Sequence, residues 1–369
     1  MPSWPDGIYS TQLIEHLRAA GSILVDSPLD GDQIQPASLD MRLGSKAYRV
    51  RSSFLPGPDH TVARRIDELK LHEIDLSDGA VLERGCVYLV PLLESFDLPD
   101  TVGASANPKS STGRLDIFTR VICDNARSFD SVPDGYSGPL YLEVSPRTFP
   151  VLVRTGSRLT QVRFRKGATR LSIEEHKQLH AEEPLVFDPN IEVANGVSLS
   201  IDLKGDGRNG LIGFRSKRHT AVVDVDKKNA LDVRDFWDPM FRGKRADLIL
   251  DPDEFYILVS RESVCVPPEF AAEMLPFDHT VGEFRVHYAG FFDPGFGYDA
   301  AGGAGSRAVL EVRSHEVPFM LDHGQTIGRL LYERMAERPG MLYGSDLGSN
   351  YQAQTLKLSK HFKEFEPQG

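Results

Sequence analysis

The sequence predicts a mainly β protein built from two related halves, with few short helices. Three observations predict it. Short apolar runs recur every ten or so residues between Gly, Pro and Asp, and the 32 glycines and 24 prolines are scattered rather than clustered, as in sandwiches and barrels rich in turns. Helical periodicity is sparse. The chain also resembles itself. Tyr88, Glu94 and Pro99 in Val87–Pro99 match Tyr256, Glu262 and Pro267 in Phe255–Pro267, each pair 168 positions apart. Leu142-Glu143-Val144 and Leu310-Glu311-Val312 keep that offset, as do Gly156 and Gly324, while Ser38-Leu39-Asp40 and Ser200-Ile201-Asp202 differ by 162. Several matches at one offset over about seventy residues indicate a duplicated domain.

Taken in order, Ser10–Ala20 has helical spacing, a cap at Ser10 or Thr11, and Gly21 as a stop. Leu140–Val144 and Ala308–Val312 read as strands. Val151–Arg154 and Phe319–Leu321 lead into turns at Gly156 and Gly324. Leu171 to about Glu183 reads as a helix joining the halves, and the residues from Pro339, rich in Gly, Ser and Gln, read as a tail. The expected domains are 1–165, a linker 166–195 with its helix, 196–338, and a tail or lid 339–369.

Forty per cent apolar and 26% charged residues give an ordinary globule with ample core. The net charge of −11 argues against binding a nucleic-acid polymer, which needs clustered Lys and Arg, but leaves room for a small anion in a local cationic pocket. No apolar run reaches membrane-spanning length, and MPSWPDGIYS lacks the basic start and apolar stretch of a secretion signal, so a cytoplasmic place is expected. Cys86, Cys123 and Cys265 are widely spaced with no C-x-x-C, which speaks against a disulfide framework or a structural zinc site.

The first half contains Ile34-Gln-Pro-Ala-Ser-Leu-Asp-Met-Arg-Leu-Gly44, then Lys109-Ser-Ser-Thr-Gly-Arg114, then Gly135-Tyr-Ser-Gly-Pro-Leu-Tyr-Leu-Glu143. The second supplies Phe292-Asp-Pro-Gly-Phe296 and Ala308-Val-Leu-Glu311, followed by Tyr343 and Asn350-Tyr-Gln-Ala-Gln354. Together these resemble the dCTP deaminase branch of the dUTPase superfamily, in a fused, long bacterial form. The resemblance implies two tandem dUTPase-like domains, each a distorted β-barrel or jelly-roll. It implies deamination of dCTP to dUTP without zinc, with Mg²⁺ accompanying the triphosphate. It also implies a homo-oligomer related to the family trimer; feedback by dTTP, which some relatives show, is left open by the sequence.

Hydrolytic deamination needs an activated water, a stabilised tetrahedral C4 and a proton for the departing ammonia. The zinc cytosine deaminases combine an H-x-E with a P-C-x-x-C, and that combination is absent. A carboxylate must then move the protons. Glu143 and Glu311 are the candidates, each inside an apolar strand where a carboxylate is unusual; the alternative is an outward-facing strand glutamate. The halves differ in complementary ways. The first keeps the Lys109–Arg114 loop, where the second reads Leu275-Pro-Phe-Asp-His-Thr280. The second keeps Asp293-Pro294-Gly295-Phe296, where the first reads Val132-Pro-Asp-Gly-Tyr136 after an insertion near Asn125–Asp130. One composite site is expected, within a chain or between chains, with Glu311 as the shuttle and Glu143 as runner-up.

By the same resemblance, Ser110 and Ser111 would hold water or phosphate oxygens, and Arg114 would neutralise charge. Lys109 would contact the triphosphate. Asp293 would accept from the 3′-hydroxyl, main-chain groups around Ala289 and Val309 would read the cytosine edge, and Tyr343 and Gln354 would close over the nucleotide. Asn350 stands where the family often has Lys, which weakens its phosphate role. Two other readings compete. A dUTP pyrophosphatase or bifunctional deaminase–pyrophosphatase would release dUMP, although the tail lacks that chemistry's Gly-rich motif. A non-catalytic nucleotide-binding module would bind without releasing ammonia. His176 and His180, one helical turn apart, suit a metal less than a solvated helix face beside Glu174, Glu175 and Lys177.

Overall fold

The computed structural model describes residues 4–188, 191, 193–205, 210–276, 284–286, 290–299, 304–314, 316–344 and 355–366, with backbone alone at 276 and 284–286. It divides into two units. The first holds Met1–Thr169, Ala221–Lys228 and Met335–Met341; the second holds Arg170–Thr220, Asn229–Arg334 and Leu342–Gly369. None of the described helices is long and apolar enough to cross a membrane.

In the first unit the helix Thr11–Ala19 forms where its spacing predicts. The Ser10 hydroxyl accepts from the Leu13 amide, Leu13, Ile14 and Leu17 turn inward, and Gly21 leaves the helix at φ 78°. The sheet that matters for the site runs through β1 (Lys46–Val50), β2 (Val87–Asp97), β4 (Ser137–Pro146) and β3 (Ile117–Cys123), neighbours in that order and all antiparallel. Both faces of β4 are covered: Leu140, Leu142 and Val144 are fully buried on one, and Glu143 is 1% exposed on the other. An outward-facing Glu143 is thereby excluded.

In the second unit the corresponding sheet runs through β5 (Leu211–Ser216), β6 (Phe255–Val264), β8 (Ser306–Ser314) and β7 (Phe284–Val286). Its register repeats that of the first unit. Tyr88 lies opposite Val144 and Leu89 opposite Glu143; Tyr256 lies opposite Val312 and Ile257 opposite Glu311. The Glu83 amide donates to the Tyr88 hydroxyl and the Asp251 amide to that of Tyr256, each at 3.0 Å. Pro108 pairs with Thr160 and Pro276 with Gly328. The buried carboxylates Glu94 and Glu262 both accept from backbone: Arg42 N–H at 2.9 Å and Ser200 N–H at 2.7 Å.

Two expectations are corrected here. The helix Ile173–Glu182 is present, with a capping box between Ser172 and Glu175. However, His176 is wholly buried rather than on a solvated face. Its Nε2 accepts from the Tyr332 amide at 3.1 Å, which fixes the proton on Nδ1, donated to the Ser172 carbonyl at 2.9 Å. A ring satisfied at both nitrogens is a core element, and burial holds its pKa below the ordinary value. The second correction concerns the chain end. Leu358 and Phe362 are 7% and 4% exposed, and Phe362 packs edge-on against Phe236 and Trp237. Residues 355–366 are therefore part of the second unit's packing rather than a loose tail.

Candidate active site

In the first unit, the strand Gly103–Pro108 ends at a proline and Lys109 leaves it in extended geometry. One helical turn follows, Ser110–Gly113. The Lys109 carbonyl accepts from the Thr112 and Gly113 amides, and the Ser110 carbonyl from Arg114. The turn holds Ser111 and Arg114 inside, at 5% and 3% exposure. Lys109, expected at the triphosphate, is ion-paired with Asp40, which Arg158 also approaches at 3.5 Å. Asp40 Oδ1 is buried without a hydrogen-bond partner. The Lys109 ammonium is thus held inside its own unit by the aspartate of the Ile34–Gly44 segment.

Glu143 lies directly across from Arg120 in the β4–β3 ladder. Arg120 Nε and Nη2 both donate to Glu143 Oε1, at 3.0 and 2.6 Å, and Nη2 also donates to Ser53 Oγ at 2.6 Å. The guanidinium carbon stands 3.4 Å over the Phe129 ring and 4.8 Å from the centre of Phe118. Oε2 of Glu143 is buried with no hydrogen-bond partner. Beside it, Asp130 is pushed up to about 7, chiefly by burial and further by Glu143, against the opposing pull of the Val121 amide and Arg120. Sequence reasoning missed Arg120 and Asp130. The available signal was an arginine on the same strand face as Phe118 and Ile122, in an apolar strand.

In the second unit Glu311 is 4% exposed in the middle of β8, and Val309, two residues before it on the same face, is 6% exposed. The outward-facing alternative fails for Glu311 as well. Asp293, 8% exposed, opens the hairpin. Its carbonyl accepts from Phe296, and Gly295 at φ 98° donates to the Val266 carbonyl. The Tyr343 amide donates to the Pro294 carbonyl at 2.8 Å, and its ring lies 5.8 Å from that of Phe296. The fold therefore brings Tyr343 onto the Asp293–Phe296 hairpin. Ala289, Asn350 and Gln354 lie outside the described residues.

Two family models cover nearly the whole chain. "2'-deoxycytidine 5'-triphosphate deaminase (DCD), C-terminal domain" matches residues 172–362, and the corresponding N-terminal domain matches residues 5–168. The chain belongs to the dCTP deaminase family. A crystal structure of 2'-deoxycytidine 5'-triphosphate deaminase from Agrobacterium tumefaciens is 65% identical, with a TM-score of 0.87 over 90% of this chain and 100% of that one. Among curated relatives, the "dCTP deaminase, dUMP-forming" of Coprothermobacter proteolyticus is 30% identical over 160 residues, 42% of this chain and 81% of that protein. The dCTP deaminase of Shewanella amazonensis is 27% identical over 178 residues, 46% of this chain and 88% of that protein. The mainly β architecture fits this dCTP deaminase family, and the boundary between its two matched domains, 168/172, falls beside the division of the units at 169/170.

Proposed function

We infer that this chain hydrolyses the C4–amino bond of dCTP, giving dUTP and ammonia. The observation that carries the reading is the 65% identity to the Agrobacterium tumefaciens dCTP deaminase across 90% of the chain. The shared register of β2/β4 and β6/β8 supports descent of the two units from one duplicated copy.

The proposed chemistry assigns proton transfer to Glu311. It takes a proton from the attacking water, and protons pass to the ring and to the leaving nitrogen as C4 changes from trigonal to tetrahedral and back. One observation favours Glu311 over Glu143: the hairpin with Asp293 and Tyr343 stands in the same unit. Ser110 and Ser111 hold the water or phosphate oxygens, and Arg114 balances the negative charge. Lys109 reaches the triphosphate by exchanging Asp40 for phosphate. Asp293 accepts from the 3′-hydroxyl, main chain around Ala289 and Val309 reads the base, and Tyr343 and Gln354 close over it, with a lesser role for Asn350.

The reading is zinc-independent, because the chain has no C-x-x-C to pair with a histidine and glutamate. Mg²⁺ is assigned to the triphosphate oxygens, its usual hard partners. Where bound, it neutralises phosphate charge. A homo-oligomer, dTTP as a regulator and a cytoplasmic place complete the proposal; three free thiols suit a reducing compartment.

A second reading has one observation in its favour. The Coprothermobacter proteolyticus and Sulfurihydrogenibium relatives, each 30% identical, are dUMP-forming. Products from a nucleotide panel decide between them: dUTP with ammonia supports the deaminase alone, and dUMP with pyrophosphate supports the bifunctional enzyme. Nucleotide binding with no ammonia from any member would leave only a binding module.

A further inference from the structure

The first unit has a carboxylate at the place that Glu311 occupies in the second, and a cation of the same chain lies against it. Glu143 and Glu311 share strand position and register. One carboxylate oxygen of Glu143 takes two N–H donors from a single planar group, at 3.0 and 2.6 Å. The other is buried with no partner. An aromatic face, Phe129, lies 3.4 Å beneath the planar group. Asp130, at the end of the insertion that the second half lacks, folds back on β3: its amide donates to the Val121 carbonyl at 2.9 Å, and its Oδ1 accepts from the Val121 amide at 2.8 Å. The planar group belongs to Arg120, whose side chain keeps 24% of its surface exposed, so the place opens to solvent.

We propose that the space beside Glu143 is a binding pocket for a planar N–C–N group, and that Arg120 fills it as a ligand supplied by the chain itself. The guanidinium offers what an amidinium or an aminopyrimidine edge would offer: adjacent N–H donors in a plane, for a carboxylate, above a ring face. Oε2 is the acceptor that the tethered guanidinium leaves unused. The insertion supplies both the ring that stacks on the group and the second carboxylate. The inference rests in part on the reading that Glu311 is the shuttle, because it removes Glu143 from that role. Its test reads binding and not turnover, so either can fail without the other.

The experiment uses the full chain as Arg120→Gly, with methylguanidinium at low millimolar concentration as the probe and thermal unfolding as the readout. Methylguanidinium should raise the melting temperature of Arg120→Gly by several degrees, and leave the wild-type protein and Arg120→Gly/Glu143→Gln unmoved. Tetramethylammonium, of equal charge but with no donors, should do nothing. An equal shift in all three proteins, no shift in Arg120→Gly, or an equal effect of tetramethylammonium overturns the proposal. If Arg120→Gly does not fold, Arg120→Gln, which keeps one N–H toward Glu143, takes its place with formamidinium as the probe. A response there no different from that of the wild type overturns it as well.

Discussion

Arg120 gives two N–H groups to one oxygen of Glu143 and none to the other, so the buried carboxylate is held on one side and unsatisfied on the second. Twenty-three positions separate the two residues in sequence, and adjacent strands place them face to face.

Glu311→Gln should bind dCTP and release ammonia at a rate lower by about 10²-fold or more, the scale of lost general acid–base help. A coupled ammonia assay beside equilibrium binding checks it. Substantial residual turnover would move the shuttle to Glu143.

Arg114→Ala should lower kcat by about 10²-fold, the usual cost of removing a charge-stabilising donor from an active site. The arginine is 3% exposed, so a melting curve belongs with the kinetics. A stable variant with full activity would remove Arg114 from the chemistry.

Dialysis against a strong zinc chelator, followed by assay with added Mg²⁺, should leave ammonia release intact. Activity that is lost and returns only with zinc would replace the carboxylate mechanism with a metal-activated water.

Gly295→Ala addresses the hairpin. The residue sits at φ 98°, and an added Cβ would lie 2.8 Å from the Tyr343 carbonyl oxygen and 2.9 Å from Leu342 Cβ. The strain should cost about 1 kcal/mol or more and push Tyr343 off the hairpin. KM for dCTP should then rise more than kcat falls. A loss of stability with unchanged KM would mean that Tyr343 does not touch the nucleotide.

His176 should make the second unit acid-sensitive. The unfolded chain takes up this proton near 6.5, whereas the buried ring, its pKa lowered by desolvation, takes it only at lower pH. Between those values the unfolded state binds more protons, so stability is full above about pH 6.5 and falls as the pH drops through that window. Denaturant unfolding at pH 7.5, 6.5 and 5.5 should show this slope reduced in His176→Met. An identical slope in the variant would assign the sensitivity to other groups.

Much of the fold was legible in the sequence because its determinants are local. Ser10 with Gly21, and Ser172 with Glu175, mark helix ends by hydrogen bonds within a few residues. The two Leu-Glu-Val strands and the 168-residue offset showed in composition and spacing alone. The candidate site was legible only in part. The motifs singled out Asp293 and Tyr343, fifty positions apart, and the hairpin gathers them. The pairing of Lys109 with Asp40 was not legible, because ion pairing depends on which strands become neighbours. His176 carried polar neighbours in sequence, and its burial depends on Tyr332, 156 positions away.

By itself the sequence determined the β class, the recurrence of matching motifs at one offset and the two strand glutamates, since turn residues and strand alternation act over a handful of positions. Only the tertiary structure decided that Arg120 engages Glu143, where the insertion at Asn125–Asp130 folds, and that residues 355–366 pack into the second unit. Those outcomes turn on contacts between segments far apart in the chain. Burial and pairing energies belong to such contacts and to no local stretch of sequence.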